Sequence, residues 1–227
     1  MTKGYIFDYG GTLDTGGQHW GKVLWHAYER QQVPVTEAQF REAYVHAERM
    51  LGKNPIIQPD FTFRRTLEEK VRIEMDYLGL TDYGKTVVND LYERTKTETA
   101  HSVKVLQALR KRYPMVLVSN FYGNIAVVLH EFGFEGIFCE IIESAVVGVR
   151  KPDSRIFSLG VEALGLPACE VVVVGDSMDK DIIPATKAGC QTVWFKGEGW
   201  TDDPVEESLA GRVITDLNEL LNEDDER

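Results

Sequence analysis

Residues 171–174 are four consecutive valines, and Gly175-Asp176 follows them directly. A strand with one wet face alternates apolar and polar side chains, so a run that is apolar at every position is buried on both faces. Other β-rich runs lie at Lys3 to Asp8, Met115 to Ser119, Ile137 to Ile142, Thr192 to Phe195 and Arg212 to Thr215. Several of these also lack alternation. Helix-like stretches separate them: Ser102 to Arg112, a segment after Asn124 using Ile125, Val128, Leu129 and Phe132, one carrying Ile156, Phe157, Gly160, Ala163 and Leu164, and a short one ending at Gly189. Strands alternating with helices predict an α/β fold, a parallel sheet covered on both faces.

One stretch breaks the alternation. From about Thr15 to Thr99 the chain contains helical patterns and no convincing strand. Thr36-Glu37-Ala38-Gln39 is a capping box, with Val35 and Phe40 placed as its hydrophobic staple. Phe40, Ala43, Tyr44, Ala47 and Leu51 then repeat at helical spacing, as do Leu67, Val71, Met75 and Leu78. Further helices are predicted over Trp20 to Gln31 and Lys85 to Lys96. A first strand is thus followed by a four-helix, all-α insert, with hinges expected at Gly16-Gly17 and in the polar segment from Thr97 to Ser102. This divides the chain into an α/β domain of residues 1–14 and 100–227 and a helical domain of residues 15–99.

Composition limits what such a chain does. The 227 residues carry 36 acidic and 25 basic side chains, a formal charge of −11. That balance argues against nucleic acid as a partner, because a phosphate-backbone binder needs a basic face. The apolar runs are of strand length, far below the ~20 residues of a membrane-spanning helix. Met1-Thr2-Lys3-Gly4 leads straight into Tyr5-Ile6-Phe7 without a signal-peptide pattern, so a cytoplasmic location is expected. Cys139, Cys169 and Cys190 form no C-x-x-C pair and read as free thiols. The acidic tail, Asn222 to Glu226, reads as a solvated terminus.

Chemistry-bearing residues fall at the ends of predicted strands, where open parallel sheets bind their ligands. Asp8 ends the first strand and begins Asp8-Tyr9-Gly10-Gly11-Thr12-Leu13. The second strand delivers Ser119-Asn120, a hydroxyl and an amide suited to an anionic oxygen. Lys151-Pro152-Asp153 places a cation just before a helix. The valine run delivers Asp176-Ser177-Met178-Asp179-Lys180-Asp181. Taken singly, each has an ordinary structural explanation, such as a helix cap or a surface charge. Two carboxylate loops, a hydroxyl and a lysine converging on one sheet edge point to a single site.

In order and spacing, Asp8-x-x-Gly11-Thr12, Ser119, Lys151-Pro152 and Gly175-Asp176-Ser177 with Asp181 resemble the four motifs of the haloacid dehalogenase-like hydrolase superfamily. The helical insert resembles the C1 cap of its subfamily I, set on a Rossmann-like core. The resemblance implies a nucleophilic Asp8 that forms an aspartyl ester, and Mg²⁺ held by Asp8, Asp176 and the Gly10 carbonyl. It also implies phosphate binding by Gly11, Thr12, Ser119, Asn120 and Lys151, with Asp181 and Ser177 in support. A carboxylate attacking a phosphate dianion meets like-charge repulsion, which Mg²⁺ and Lys151 would offset. The insert would select the substrate through residues such as His19, Trp20, Arg41, Tyr44, Lys53 and Arg64.

Gly10 departs from the phosphatase pattern, which has an aspartate there as general acid/base. Such help is worth ~10²–10⁴-fold in rate. Asp14 and His19 are candidates to replace it. The expected function is a Mg²⁺-dependent phosphatase of a small phosphorylated metabolite, acting through phospho-Asp8. Two alternatives stand beside it. One is carbon–halogen or carbon–phosphorus cleavage on the same scaffold, the latter with Lys22 or Lys53 as a Schiff-base lysine. The other is a non-catalytic member that binds a phosphorylated ligand.

Overall fold

A computed structural model describes residues 1–201 and 204–222; the acidic tail beyond 222 lies outside the described residues. Six strands form one parallel sheet: β1 Gly4–Phe7, β2 Met115–Ser119, β3 Glu140–Glu143, β4 Val171–Gly175, β5 Gln191–Phe195 and β6 Arg212–Ile214, in the order β3-β2-β1-β4-β5-β6. From β1 the chain builds outward through β2 and β3, then crosses to β4 on the other side. That reversal of direction opens a crevice at the carboxyl end of β1, where Asp8 stands.

The valine run behaves as its uniform apolarity demands. Val172 and Val174 point into one core with Tyr5, Phe7, Met115 and Leu117. Val171 and Val173 point into the other with Ile6, Val116, Val118, Ile156 and Phe157. All of β1, β2 and β4 is buried. β3 is displaced from expectation, beginning at Glu140. Ile137 is buried but precedes the strand, in a turn closed by the Ile137 N–H donating to the Phe134 carbonyl.

The insert supplies α1 Trp20–Arg30, α2 Glu37–Lys53, α3 Phe63–Leu78 and α4 Gly84–Leu109. The capping box at α2 is present in both directions, Thr36 and Gln39 each satisfying the other's backbone N–H. α3 stops at Gly79, whose left-handed φ of 69° ends the helix without the Cβ strain another residue would bring.

α4 corrects one expectation. The predicted helix 85–96 and residues 102–109 of the predicted helix 102–112 belong to a single 26-residue helix that stops at Leu109, and the polar segment between them is helix interior rather than a hinge. Its hydroxyls have partners that keep them in a buried helix face: Thr99 Oγ1 donates to the Thr95 carbonyl at 2.8 Å and Ser102 Oγ to the Leu13 carbonyl at 2.8 Å. The helix therefore runs unbroken from the insert into the layer against the sheet. Beyond β2 the helices are α5 Ile125–Glu131, α6 Ser144–Val147, α7 Arg155–Leu164 and α8 Ile183–Lys187.

The loop after β5 fastens the insert from the other side. Trp200 stacks near His19 and Tyr44, the Arg41 guanidinium lies 4.1 Å over its ring, and Arg41 Nη2 donates to its carbonyl at 2.6 Å. Gly21, in the first turn of α1, makes room for the ring: a Cβ there would fall 1.9 Å from it. Gly21→Ala is therefore expected to displace Trp200 and cost about 1–3 kcal/mol, the usual range for overpacking. Denaturant unfolding followed by tryptophan fluorescence would measure it; an unchanged midpoint and spectrum would show that the ring is not fixed there.

Candidate active site

Asp8 leaves β1 with its N–H bonded to the Val174 carbonyl at 3.0 Å, which continues the pairing of β1 with β4. Alternation then turns Tyr9 the other way, its ring edge-on to Phe121 and Phe134 in the core. The chain next closes a tight turn, with Thr12 and Leu13 N–H both donating to the Tyr9 carbonyl. Gly11 holds φ at 95°, and a Cβ there would lie 2.5 Å from the Asp176 carboxyl. Only glycine lets the two loops meet this closely. Thr12 joins them, its hydroxyl donating to Asp176 Oδ1 and accepting from Asp176 N–H, each at 3.0 Å.

Lys151 is held from both ends. Asn120 accepts from the Lys151 N–H at 2.9 Å and donates to the Lys151 carbonyl at 3.0 Å, tying the β2 loop to the lysine's backbone. The buried ammonium meets Asp8 Oδ1 at 2.5 Å and Asp181 Oδ1 at 2.6 Å. Asp181 is itself fixed by the Ser177 N–H on Oδ2 at 3.1 Å. Gly175 makes space for it, since a Cβ at that position would meet Asp181 at 2.5 Å.

Asp8, Asp176 and Asp181 thus form a cluster whose ligand oxygens all lie within 4.8 Å of one another. Burial above all, then repulsion from Asp181, pushes the Asp8 carboxyl up to about 6 even with Lys151 pulling it down. Burial and the other two aspartates push Asp176 well above the carboxylate range. Burial disfavours a charged Lys151, but Asp181 and Asp8 outweigh it and raise the lysine above its ordinary value. One cation among three acids leaves the cluster short of positive charge.

The cluster opens into a cavity of about 190 Å³ that Ser119, Asn120, Ser177 and Gly10 also line, with part of the insert as its far wall. Gly11 and Thr12 lie outside that lining and shape the loop. Of the insert residues expected there, His19, Trp20 and Tyr44 line the cavity. Arg41 is engaged by Trp200, and Arg64 bonds Asn89 Oδ1 at 2.5 Å. Lys53 is exposed at the end of α2, and Lys22 is paired with Glu37 and Glu198.

The sequence alone does not assign Glu48, Lys70, Tyr122, Arg150 and Lys180 to the site, yet they line the cavity, beside Phe63, Thr66, Leu67 and Phe121. Lys70 is buried, ion-paired to Glu48, and 4.3 Å from the centre of the Tyr44 ring. Burial opposes its charge, yet Glu48 raises it well above its ordinary value, so it is held as an ammonium. A signal was present. Lys70 and Glu74 interrupt the α3 stripe of Leu67, Val71 and Met75, and charges on a buried face need a reason to be there.

Comparison with known proteins places this geometry. The family model described as haloacid dehalogenase-like hydrolase matches residues 2–189. The chain belongs to this family. Among curated relatives it is 35% identical over 94 residues to a glyceraldehyde 3-phosphate phosphatase of Methanocaldococcus jannaschii, 41% of each chain. It thus matches less than half the length of that relative. Among solved structures of the family, a dehalogenase with an intermediate complex superposes with a TM-score of 0.65 at 18% identity, covering 96% of this chain and 95% of that one. A HAD-hydrolase of Bacillus subtilis bound to magnesium superposes with a TM-score of 0.59 at 18% identity, covering 96% of each. The family match places the chain among the haloacid dehalogenase-like hydrolases, and curated relatives it resembles in part are named as phosphatases. The structural likenesses establish the fold.

Behind Lys70, Glu74 is fully buried. Tyr28 donates to its Oε2 at 2.9 Å, while Oε1 has no partner. Burial pushes this carboxyl from 4.5 to about 7, against the pull of Lys70 and Tyr28. A raised folded pKa means that the native state binds the extra proton, so stability falls as pH rises from about 4.5 to about 7. Glu74→Gln is expected to gain stability relative to the parent across that interval, seen as a rising difference in urea midpoints. Parallel pH profiles would show that Glu74 is ionised throughout.

Proposed function

We propose that this chain is a Mg²⁺-dependent phosphatase of a small phosphorylated metabolite, working through a covalent aspartyl-phosphate on Asp8. The observation that carries the reading is the Asp8–Lys151 contact at 2.5 Å inside a cluster of three carboxylates. The cluster fits a hard divalent cation. Its donors are all oxygens, they lie within 4.8 Å of one another, and they are short of positive charge. Asp8, Asp176 and the Gly10 carbonyl are the proposed ligands. Asp181 has one oxygen on Lys151 and the other on the Ser177 N–H, so it acts in support. When bound, Mg²⁺ would supply positive charge against the phosphoryl oxygens.

The protein's own groups do the rest. Asp8 attacks phosphorus and forms the Asp8–phosphorus bond as the ester oxygen leaves. Lys151 and Ser119 hold the phosphoryl oxygens and stabilise the charge that spreads over them. Water then attacks phosphorus and releases Asp8. Residues 15–99 act as a C1-type cap, closing over the phosphoryl group and shielding it from bulk water. A cavity of about 190 Å³ has room for a compact ester. Halide displacement needs no acid at position 10, but it gives no reason for three converging carboxylates. Carbon–phosphorus cleavage through a Schiff base needs a neutral cap lysine, whereas Lys70 is held charged by Glu48.

Purified protein is expected to hydrolyse p-nitrophenyl phosphate with Mg²⁺ and to lose that activity in EDTA. Asp8→Asn should lower turnover by about 10³-fold or more, as loss of a nucleophile does elsewhere. Acid-quenched protein should carry phosphate on Asp8. Turnover that survives EDTA or Asp8→Asn would overturn the reading.

A further inference from the structure

We propose that Asp14 supplies the leaving-group proton that position 10 cannot, aimed into the cavity through the indole of Trp20. The inference rests on the phosphatase reading above and assigns the residue that completes it. Gly10 lines the cavity, and a Cβ built on it would have Trp20 Cδ1 and Nε1 as its nearest neighbours, at 3.8 and 3.9 Å. A side chain on residue 10 would therefore project toward the Trp20 edge. That edge carries a carboxyl of its own: Trp20 Nε1 donates to Asp14 Oδ2 at 2.9 Å. The Gly11 N–H donates to Asp14 Oδ1 at 2.7 Å, fixing the group to the same loop that presents Asp8.

Asp14 is buried, lines the cavity with Asp8, and meets no cation among the described residues. The other acids of the cavity wall are committed. Asp8 and Asp181 are on Lys151, Asp176 is on Thr12, and Glu48 is on Lys70. Burial outweighs both N–H donors and holds the Asp14 carboxyl up at about 8, so it carries a proton at neutral pH. A protonated carboxyl still accepts both bonds through its remaining lone pairs while its O–H donates elsewhere. His19 does not fit the task. Its Nδ1 accepts the Gly21 N–H at 3.0 Å as the α1 N-cap, and burial lowers its pKa to about 4. The neutral ring could give a proton only by becoming an imidazolate.

The step balances. As the Asp8–phosphorus bond forms and the phosphorus–ester oxygen bond breaks, the departing alkoxide takes the Asp14 proton and leaves a carboxylate. When water attacks phosphorus, its proton passes to Asp14, the Asp8–phosphorus bond breaks, and inorganic phosphate departs.

The test compares single-turnover phosphoryl transfer from p-nitrophenyl phosphate, whose leaving group needs little protonation, with transfer from glycerol 3-phosphate. Asp14→Asn is expected to lower the rate with glycerol 3-phosphate by about 10²–10⁴-fold and to lower the p-nitrophenyl rate far less. Gly10→Asp added to that variant should recover the alkyl rate, because the space at residue 10 faces the same edge. Trp20→Phe removes the aiming N–H together with one ring of the indole, leaves the Asp14 carboxyl in place, and should shift the ratio of the two rates in the same direction, which provides a readout if Asp14→Asn melts early. Equal losses on both esters, or none, would overturn the proposal and leave Asp14 a structural brace. Failure of the parent protein to turn over either ester would overturn the phosphatase reading and this proposal together.

Discussion

Three carboxylates cannot share one sheet edge unless something holds their repulsion in check, and in this fold the ammonium of Lys151 does so. It reaches Asp8 at 2.5 Å and Asp181 at 2.6 Å from a loop that no strand pairing fixes. Its position depends on Asn120 gripping its peptide on both sides. Two glycines serve the same end. Gly11 and Gly175 each leave out a Cβ that would lie 2.5 Å from an aspartate of the cluster. Backbone, amide and ion pair thus converge on one purpose, which is to keep like charges close enough to share a cation. Removing the lysine would leave buried charges uncompensated, the costly way to break a buried pair.

The helical insert bears on this cluster through two attachments of different kinds. α4 runs without a break from the insert into the sheet layer, with Ser102 anchored on the Leu13 carbonyl beside the Asp8 loop. The loop after β5 reaches back with Trp200, seated against Gly21 and under Arg41. The helix joins the insert to the sheet layer on one side and the aromatic plug on the other, and the chain enters the insert through Gly16-Gly17, at φ of 69° and 84°. Cavity residues such as Lys70 and Tyr44 sit on α3 and α2, so their placement over Asp8 follows from how those attachments fix the insert.

Two strands are legible to the residue, Val171–Gly175 and Met115–Ser119, because burial on both faces leaves a nearly unbroken apolar run. The polar stretch around Thr97 to Ser102 misled for a physical reason. Hydroxyls that bond back to a carbonyl one turn earlier, or across to Leu13, look like linker composition while serving as helix interior. Asp8, Ser119 and Asp176 are legible as candidates because strand ends have fixed addresses in a parallel sheet, whereas Lys151 and Asp181 lie beyond the strand ends and stand out only through the motif resemblance. Asn120 was placed at the site, but its bond to the Lys151 peptide depends on a loop that sequence does not trace. The insert wall was the least legible part. Lys70 and Glu48 come from different helices, and which of their faces meet is decided by packing angles that leave no mark on either helix alone.

Gly10 shows how a missing group reshapes its surroundings. A side chain at that position would start in ordinary contact with the indole edge, at 3.8–3.9 Å, and would bring its own carboxyl into the cavity. With glycine there, Trp20 stands alone against the loop, and its N–H has no partner closer to hand than Asp14. Asp14 in turn has been drawn into a site where burial, rather than any cation, sets its ionisation, a condition that keeps a carboxylic acid protonated near neutral pH.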